Sequence, residues 1–243
     1  MDEAPRPAFY AAGRGPWRDW WTLLHPPYTA WHLSYVVVGA SLAPGASVSR
    51  LVGAVVAFFL AVGIAAHALD EWHGRPLRTA IPAALLLGAA AAALAGAVVL
   101  GALGVARVGV ALVPFIVVGP LLVVAYNAEL FGGIVHTDAG FAAAWGAFPV
   151  LTAYVGETGT LALAPVLAAA GAFALSWAQR ALSTPARTLR RRVRTAEGSL
   201  VLDDGGVQAL GRDDLLAPLE RALRAMSWAT VAFAAALAVA RLG

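Results

Sequence analysis

The chain has 243 residues, 60% of them hydrophobic and 13% charged, with a formal net charge of +3 and a mean hydropathy of +0.74. A soluble domain of this length is not so apolar, so the composition points to an integral membrane protein with no nucleic-acid partner. Cysteine is absent and all 17 basic residues are arginine, which excludes disulfides, thiolate metal sites, Cys nucleophiles and lysine Schiff bases.

The N-terminal stretch starts Met1-Asp2-Glu3 and reaches its first apolar run only after Pro26-Pro27, the wrong order and charge for a cleavable signal peptide. Residues 1–25 read as a cytoplasmic amphipathic segment. The runs Leu51 to Leu69, Ala80 to Leu100 and Val108 to Tyr126 contain no Asp, Glu or Arg, and each approaches the ~20 residues that a spanning helix needs. Runs at Tyr28 to Ala43, Ala139 to Gly156, Thr158 to Gln179 and Ala225 to Ala240 bring the expected count to seven. Period-2 alternation is absent, so the fold class is an all-α polytopic membrane bundle rather than a β-barrel. Six helices occupy 26–179, and the last span occupies 225–243.

Between them, 180–224 is the one long polar insert. It holds an arginine run, Arg187 through Arg194, suited to anionic lipid. Asp203-Asp204-Gly205-Gly206 reads as a hairpin turn. A helix from Asp213 to Arg224 has Leu215, Leu216, Leu219 and Leu223 on one stripe, as expected of a helix lying on the membrane surface. The small-residue stretch Gly88 to Gly96 suits close helix packing.

Seven spans sort the arginines into two very unequal sets. One set of helix ends holds fourteen, including Arg6, Arg14, Arg75, Arg78, Arg180 and Arg187; the other holds Arg50, Arg107 and Arg241. Basic loops stay in the cytoplasm, which places the N-terminus inside and the C-terminus outside, in what reads as a prokaryotic plasma membrane. All five histidines and every carboxylate except Glu157 then share the cytoplasmic side. Seven of the eight tryptophans, among them Trp17, Trp31 and Trp72, fall near the same face and read as an interfacial belt.

Ionisable groups beside a bilayer are expensive, and clusters of them at span ends hold metals, protons or polar head groups. Two such clusters stand out: His67-Ala-Leu-Asp70-Glu71-Trp-His73 after the second run, and Asn127-Ala-Glu129 through His136-Thr-Asp138 after the fourth. On a continuing helix His67, Asp70 and Glu71 lie at i, i+3 and i+4, on one face. With His32, His73, Glu129 and His136 they form a candidate ligand set for a divalent metal, magnesium or a transition metal such as iron. Asp70, Glu71 and Glu129 are the candidate catalytic carboxylates.

In their order along the chain these landmarks resemble the UbiA family of intramembrane prenyltransferases. The family begins its first helix with a basic-Pro pair, similar to His25-Pro26-Pro27. It ends its second helix with Asn-Asp-x-x-Asp-x-x-x-Asp, where this chain has Ala66-His67-Ala-Leu-Asp70-Glu71-Trp-His73-Gly74. Tyr126, Gly132-Gly133, Gly146-Ala-Phe148-Pro149 and Tyr154 follow the pattern of its fourth and fifth helices. Ala186-Arg187-Thr188-Leu189 stands near its second aspartate motif.

The resemblance implies an isoprenoid or quinone-like substrate within a bundle among membrane lipids, and a diphosphate held through magnesium by two aspartate motifs. Only Asp70 matches the first motif, and Gln179 to Arg194 contains no Asp or Glu. Arg75, Arg78, Arg180 and Arg187 are therefore expected to supply the missing positive charge at the head group. Tyr126, Asn127, Asp138 and Tyr154 complete the expected substrate contacts. The reading is a divergent prenyltransferase. The alternatives are a metal-dependent oxidoreductase or cyclase on the same scaffold, and a non-enzymatic lipid- or quinone-binding protein.

Overall fold

The computed structural model describes residues 8–13 and 15–242. Met1-Asp2-Glu3, Arg6 and Arg14 lie outside the described residues. A short amphipathic helix, α1 (Pro16–Leu23), precedes seven long ones: α2 (Pro26–Ser41), α3 (Val48–Gly74), α4 (Ala83–Val108), α5 (Val110–Asn127), α6 (Asp138–Thr158), α7 (Leu163–Arg191) and α8 (Arg212–Leu242). A two-stranded antiparallel hairpin, β1 (Glu197–Val201) and β2 (Val207–Gly211), joins α7 to α8. Its turn is built on Asp203 to Gly206, where Asp204 Oδ1 accepts from the Gly206 amide at 2.8 Å.

Five of the helices, α3, α4, α5, α6 and α8, are long and apolar enough to cross a membrane. Their outward side chains are apolar as well: Leu103, Leu121, Phe233 and Val239 are all exposed, the surface expected of helices whose solvent is lipid. At 16 residues, α2 is about 24 Å long, less than a ~30 Å hydrocarbon core. In α7 the second half carries Arg180, Arg187, Arg190 and Arg191.

The boundary expected at 224/225 falls inside a helix. What reads as a surface helix from Asp213 to Arg224 is the first part of α8, which runs unbroken to Leu242. Leu216 and Leu223 are buried against α7 beside Ala186, whereas Leu215 is exposed. An intramolecular partner for that stripe is the physical reason it does not lie flat.

Helices consecutive in the chain run antiparallel, so the start of α2, the ends of α3 and α5, the start of α6 and the second half of α7 meet at one end of the bundle. Close backbone approach holds them: a Cβ on Gly39 of α2 would lie 2.1 Å from the Val150 carbonyl oxygen of α6, and one on Gly146 of α6 would lie 2.6 Å from the Ala172 carbonyl oxygen of α7. The Gly88 to Gly96 stretch packs against the core through Ala90 and Ala93. Gly96 touches Leu60, but nothing lies within 4 Å of a Cβ on Gly88. Trp31 also departs from the expected belt: it is fully buried and donates from Nε1 to the Tyr35 hydroxyl at 2.5 Å.

The opposite end is pinned by one ion pair. Glu157 is buried; its carboxylate accepts from Arg50 Nε at 2.8 Å and from the Ser47 amide at 2.9 Å.

Candidate functional site

Within α3 the residues Phe59–Ala66 form a π-helical stretch, and within α6 the residues Ala142–Ala147 form another. A π turn spaces its hydrogen bonds i to i+5 and is found frequently at functional sites. Here each stretch anchors a histidine. His67 donates from Nδ1 to the Gly63 carbonyl at 3.1 Å, and His32 on α2 donates from Nδ1 to the Trp145 carbonyl at 2.9 Å. A carbonyl can only accept, so Nδ1 bears the proton and, in the neutral ring, Nε2 is the bare nitrogen. His136 is held in the same way, Nδ1 to the Tyr126 carbonyl at 2.9 Å, with its ring stacked on Tyr126 at 4.4 Å.

These three imidazoles line one cavity of about 350 Å³ together with His25, Asp70, Asn127, Gln179 and four arginines of α7: Arg180, Arg187, Arg190 and Arg191. The segment before α1 contributes to its wall through Phe9 and Tyr10. Phe9 lies 4.7 Å beneath the Arg224 guanidinium, and Tyr10 meets the His25 ring edge-on at 5.2 Å. His25 adopts φ 47° at the start of α2 and sits 4.2 Å from the His67 ring. Two buried polar atoms of the cavity residues, His25 Nε2 and Gln179 Oε1, have no hydrogen-bond partner.

The charge balance is cationic. Arg190 binds Glu220 through two bonds of 2.6 Å, Nε to Oε1 and Nη2 to Oε2, and Arg180 binds Asp138 at 2.9 Å. Arg187 makes no ion pair among the described residues; its one side-chain bond goes from Nη2 to the Thr184 hydroxyl at 3.4 Å. Burial, followed by repulsion from Arg180 and Arg191, lowers the pKa of Arg187 from its ordinary value, while Asp70 opposes the shift. Crowded guanidiniums of this kind attract an anion. Burial likewise pushes His25 well below the usual imidazole range, with His67, Arg191 and Arg187 adding repulsion.

A second cavity, about 290 Å³, is lined by α3, α4, α5 and α6 and is apolar along most of its length, with Ala57, Ala61, Ala97, Gly101, Ile116 and Phe148 among its walls. It reaches Arg50 and Arg107 near the opposite end of the bundle. Val62 and Trp145, one from each π stretch, line both cavities. The two spaces therefore adjoin where the helical ladders widen.

The expected site residues divide. His32, His67, Asp70, Asn127, His136, Arg180 and Arg187 line the polar cavity, and Asp138 and Tyr126 brace Arg180 and His136 from behind. Glu71 does not join them. It is fully buried, and its carboxylate accepts from the Leu77 amide at 2.9 Å, the Thr79 amide at 2.8 Å and the Thr79 hydroxyl at 2.9 Å, clipping the loop from 75 to 82. In the same loop Arg75 donates to the Ile81 carbonyl at 2.6 Å. Neither Arg75 nor Arg78 lines the cavity.

His73 and Glu129 form a separate half-exposed cluster, with His73 Nε2 4.0 Å and His136 Nδ1 3.9 Å from the Glu129 carboxylate. Tyr154 is buried far along α6, away from both cavities. The expected seven-ligand metal set is thus dispersed: among the described residues no three His, Asp or Glu side chains gather as an ion-holding group.

Tyr10, His25, Tyr28, Gln179, Ser183, Arg190 and Arg191 also line the site, beyond the set expected from sequence. The arginine run and the His25-Pro26-Pro27 start were visible signals. Nothing local marked Gln179 or Tyr10.

No protein-family model, curated protein or solved structure matches the chain.

Proposed function

We propose that this chain is an integral membrane enzyme of UbiA-like type, a divergent prenyltransferase acting on an isoprenoid or related lipid that carries a phosphate or diphosphate head. In this reading the bundle has seven spans, α2 and α7 included, with the N-terminus cytoplasmic and the C-terminus outside. One observation supports it above the others: Arg187 is crowded by Arg180 and Arg191 and lacks an ion pair among the described residues, in a cavity that shares Val62 and Trp145 with an apolar cavity. A polar head and a hydrocarbon tail need that juxtaposition. Guanidiniums bind phosphate oxygens in a planar fork and need no proton exchange to stay charged.

In the mechanism that follows, Arg180, Arg187 and Arg191 hold the diphosphate and stabilise the charge that develops as the C1–O bond of the lipid breaks. The tail lies past Val62 and Trp145 toward Ala97 and Gly101, which keeps water from the allylic carbon. The donor set does not fit a two-ion magnesium site. Glu71 is committed to the loop, and of the cavity carboxylates Glu220 is held by Arg190, leaving Asp70.

The test is binding of inorganic pyrophosphate to the full chain in lipid nanodiscs, measured calorimetrically in the presence of a chelator. Arg187→Gln is expected to weaken binding by about 30- to 150-fold, the ~2–3 kcal/mol of a charge-assisted hydrogen bond. Equal affinity in the variant would refute the arginine-held head group. Binding that appears only with added magnesium or iron would restore the metal-dependent alternative, and pyrophosphate binding with no turnover of any lipid diphosphate would leave a lipid-binding protein.

A further inference from the structure

Three histidines on three different helices share one device. His32, His67 and His136 each donate Nδ1–H to a backbone carbonyl, at 2.9, 3.1 and 2.9 Å, and each lines the arginine cavity. A backbone carbonyl is a weaker electrostatic partner than a carboxylate, so it fixes the ring and its tautomer without stabilising an imidazolium strongly. In the neutral ring each Nε2 then carries a lone pair. An anion-binding chamber does not need lone pairs for its anion; every contact to phosphate oxygen must be a donor. The lone pairs call for a second ligand that offers hydrogens.

His67 is the best placed of the three. It stands one helical turn before Asp70 on α3, beside the π stretch that adjoins the apolar cavity, and its ring meets His25 at 4.2 Å. His25 Nε2 is buried and has no partner. A proton taken by His67 therefore has a second imidazole to share it. Asp70 is the competing acceptor; it shares the cavity with Arg187 and Arg191, guanidiniums that can pair with its carboxylate.

We propose that His67 Nε2 is the proton acceptor of the reaction, with His25 as its relay, and that the co-substrate is a compound with a hydroxyl group, water or a phenol being the simplest. The step rests on the lipid-diphosphate reading above. The co-substrate's O–H bond breaks and its oxygen forms a bond to C1 of the lipid. The C1–O bond to diphosphate breaks with its electron pair leaving on the diphosphate, and the proton goes to His67 Nε2. Arg187 and its neighbours hold the leaving group, so binding of the head and removal of the proton fall to different residues.

That separation gives the experiment. Full-length protein in nanodiscs is supplied with farnesyl diphosphate, and released pyrophosphate is followed from pH 5 to 8, with water or an added simple phenol as acceptor. Inorganic pyrophosphate binding is measured in parallel. His67→Gln should bind pyrophosphate within threefold of wild type and turn over at least 50-fold more slowly.

Turnover by His67→Gln within threefold of wild type would overturn the proposal. So would a fall matched by an equal loss of pyrophosphate binding, or a wild-type protein that binds pyrophosphate yet releases none. If His67→Gln does not fold, diethyl pyrocarbonate on wild type decides: carbethoxylation of His67 must abolish release, farnesyl diphosphate must protect it, and release that survives modification overturns the assignment. Failure of Arg187→Gln to lose pyrophosphate would instead remove the underlying reading, so the two failures are distinguishable.

Discussion

The two cavities adjoin at Val62 and Trp145 and are otherwise opposite in character. The apolar one is lined by four long helices alone, and its walls are mostly small, aliphatic and aromatic side chains, with Arg50 and Arg107 near the opposite end of the bundle. The polar one needs much more: a histidine in a left-handed conformation, the second half of α7, the start of α8 and a segment preceding α1. Helix packing in lipid makes apolar space readily, because small residues let backbones approach. A charged chamber requires elements from beyond the spans.

Asp70 and Glu71 sharpen that contrast within one turn of α3. Asp70 lines the cavity, whereas Glu71 ties down the loop from 75 to 82 through three accepted hydrogen bonds. Glu71→Gln replaces one acceptor oxygen by a donor facing N–H groups, and is expected to destabilise the protein by about 3 kcal/mol while leaving pyrophosphate affinity of the folded fraction unchanged. Thermal unfolding in nanodiscs with parallel calorimetry checks both halves. A loss of affinity without a loss of stability would return Glu71 to the site.

Filling the apolar cavity should act the other way. Ala97→Phe puts a ring into the space between α3 and α5, and is expected to weaken farnesyl diphosphate about tenfold with no change for inorganic pyrophosphate. If both probes weaken together, the two cavities do not divide tail from head.

The smallest expected effect is a pH dependence. The folded-state pKa of His25 is depressed by burial and by its cationic neighbours, so its contribution to stability is present above the unfolded value of about 6.5 and is lost as pH falls toward the folded value. Between pH 6.5 and 5.5 this one group should remove at most about 1.4 kcal/mol. His25→Asn, which tolerates the left-handed backbone, should flatten that part of the curve, and unchanged melting profiles would show that His25 titrates alike in both states.

Local signals made much of this protein legible. Hydropathy and charge spacing locate α3, α4 and α5, although α4 runs on to Val108 where the expected run ends at Leu100, and the Asp203 to Gly206 turn marks the hairpin, because each depends on residues adjacent in the chain. The run His67 to His73 and the run Asn127 to Asp138 also read as polar helix ends, and His67, Asp70 and His136 do line the cavity.

Rotation about a helix axis and the path of a loop are not local. Whether Glu71 faces a site or a loop depends on where Leu77 and Thr79 are brought, and whether the Asp213 to Arg224 stripe meets lipid or protein depends on Ala186 of α7. The sequence by itself determined a mostly helical membrane chain with polar groups clustered at helix ends. Only the tertiary structure decided that four arginines and four histidines share one chamber, because the folded chain brings together the ends of α2, α3, α6 and α7 from distant parts of the sequence.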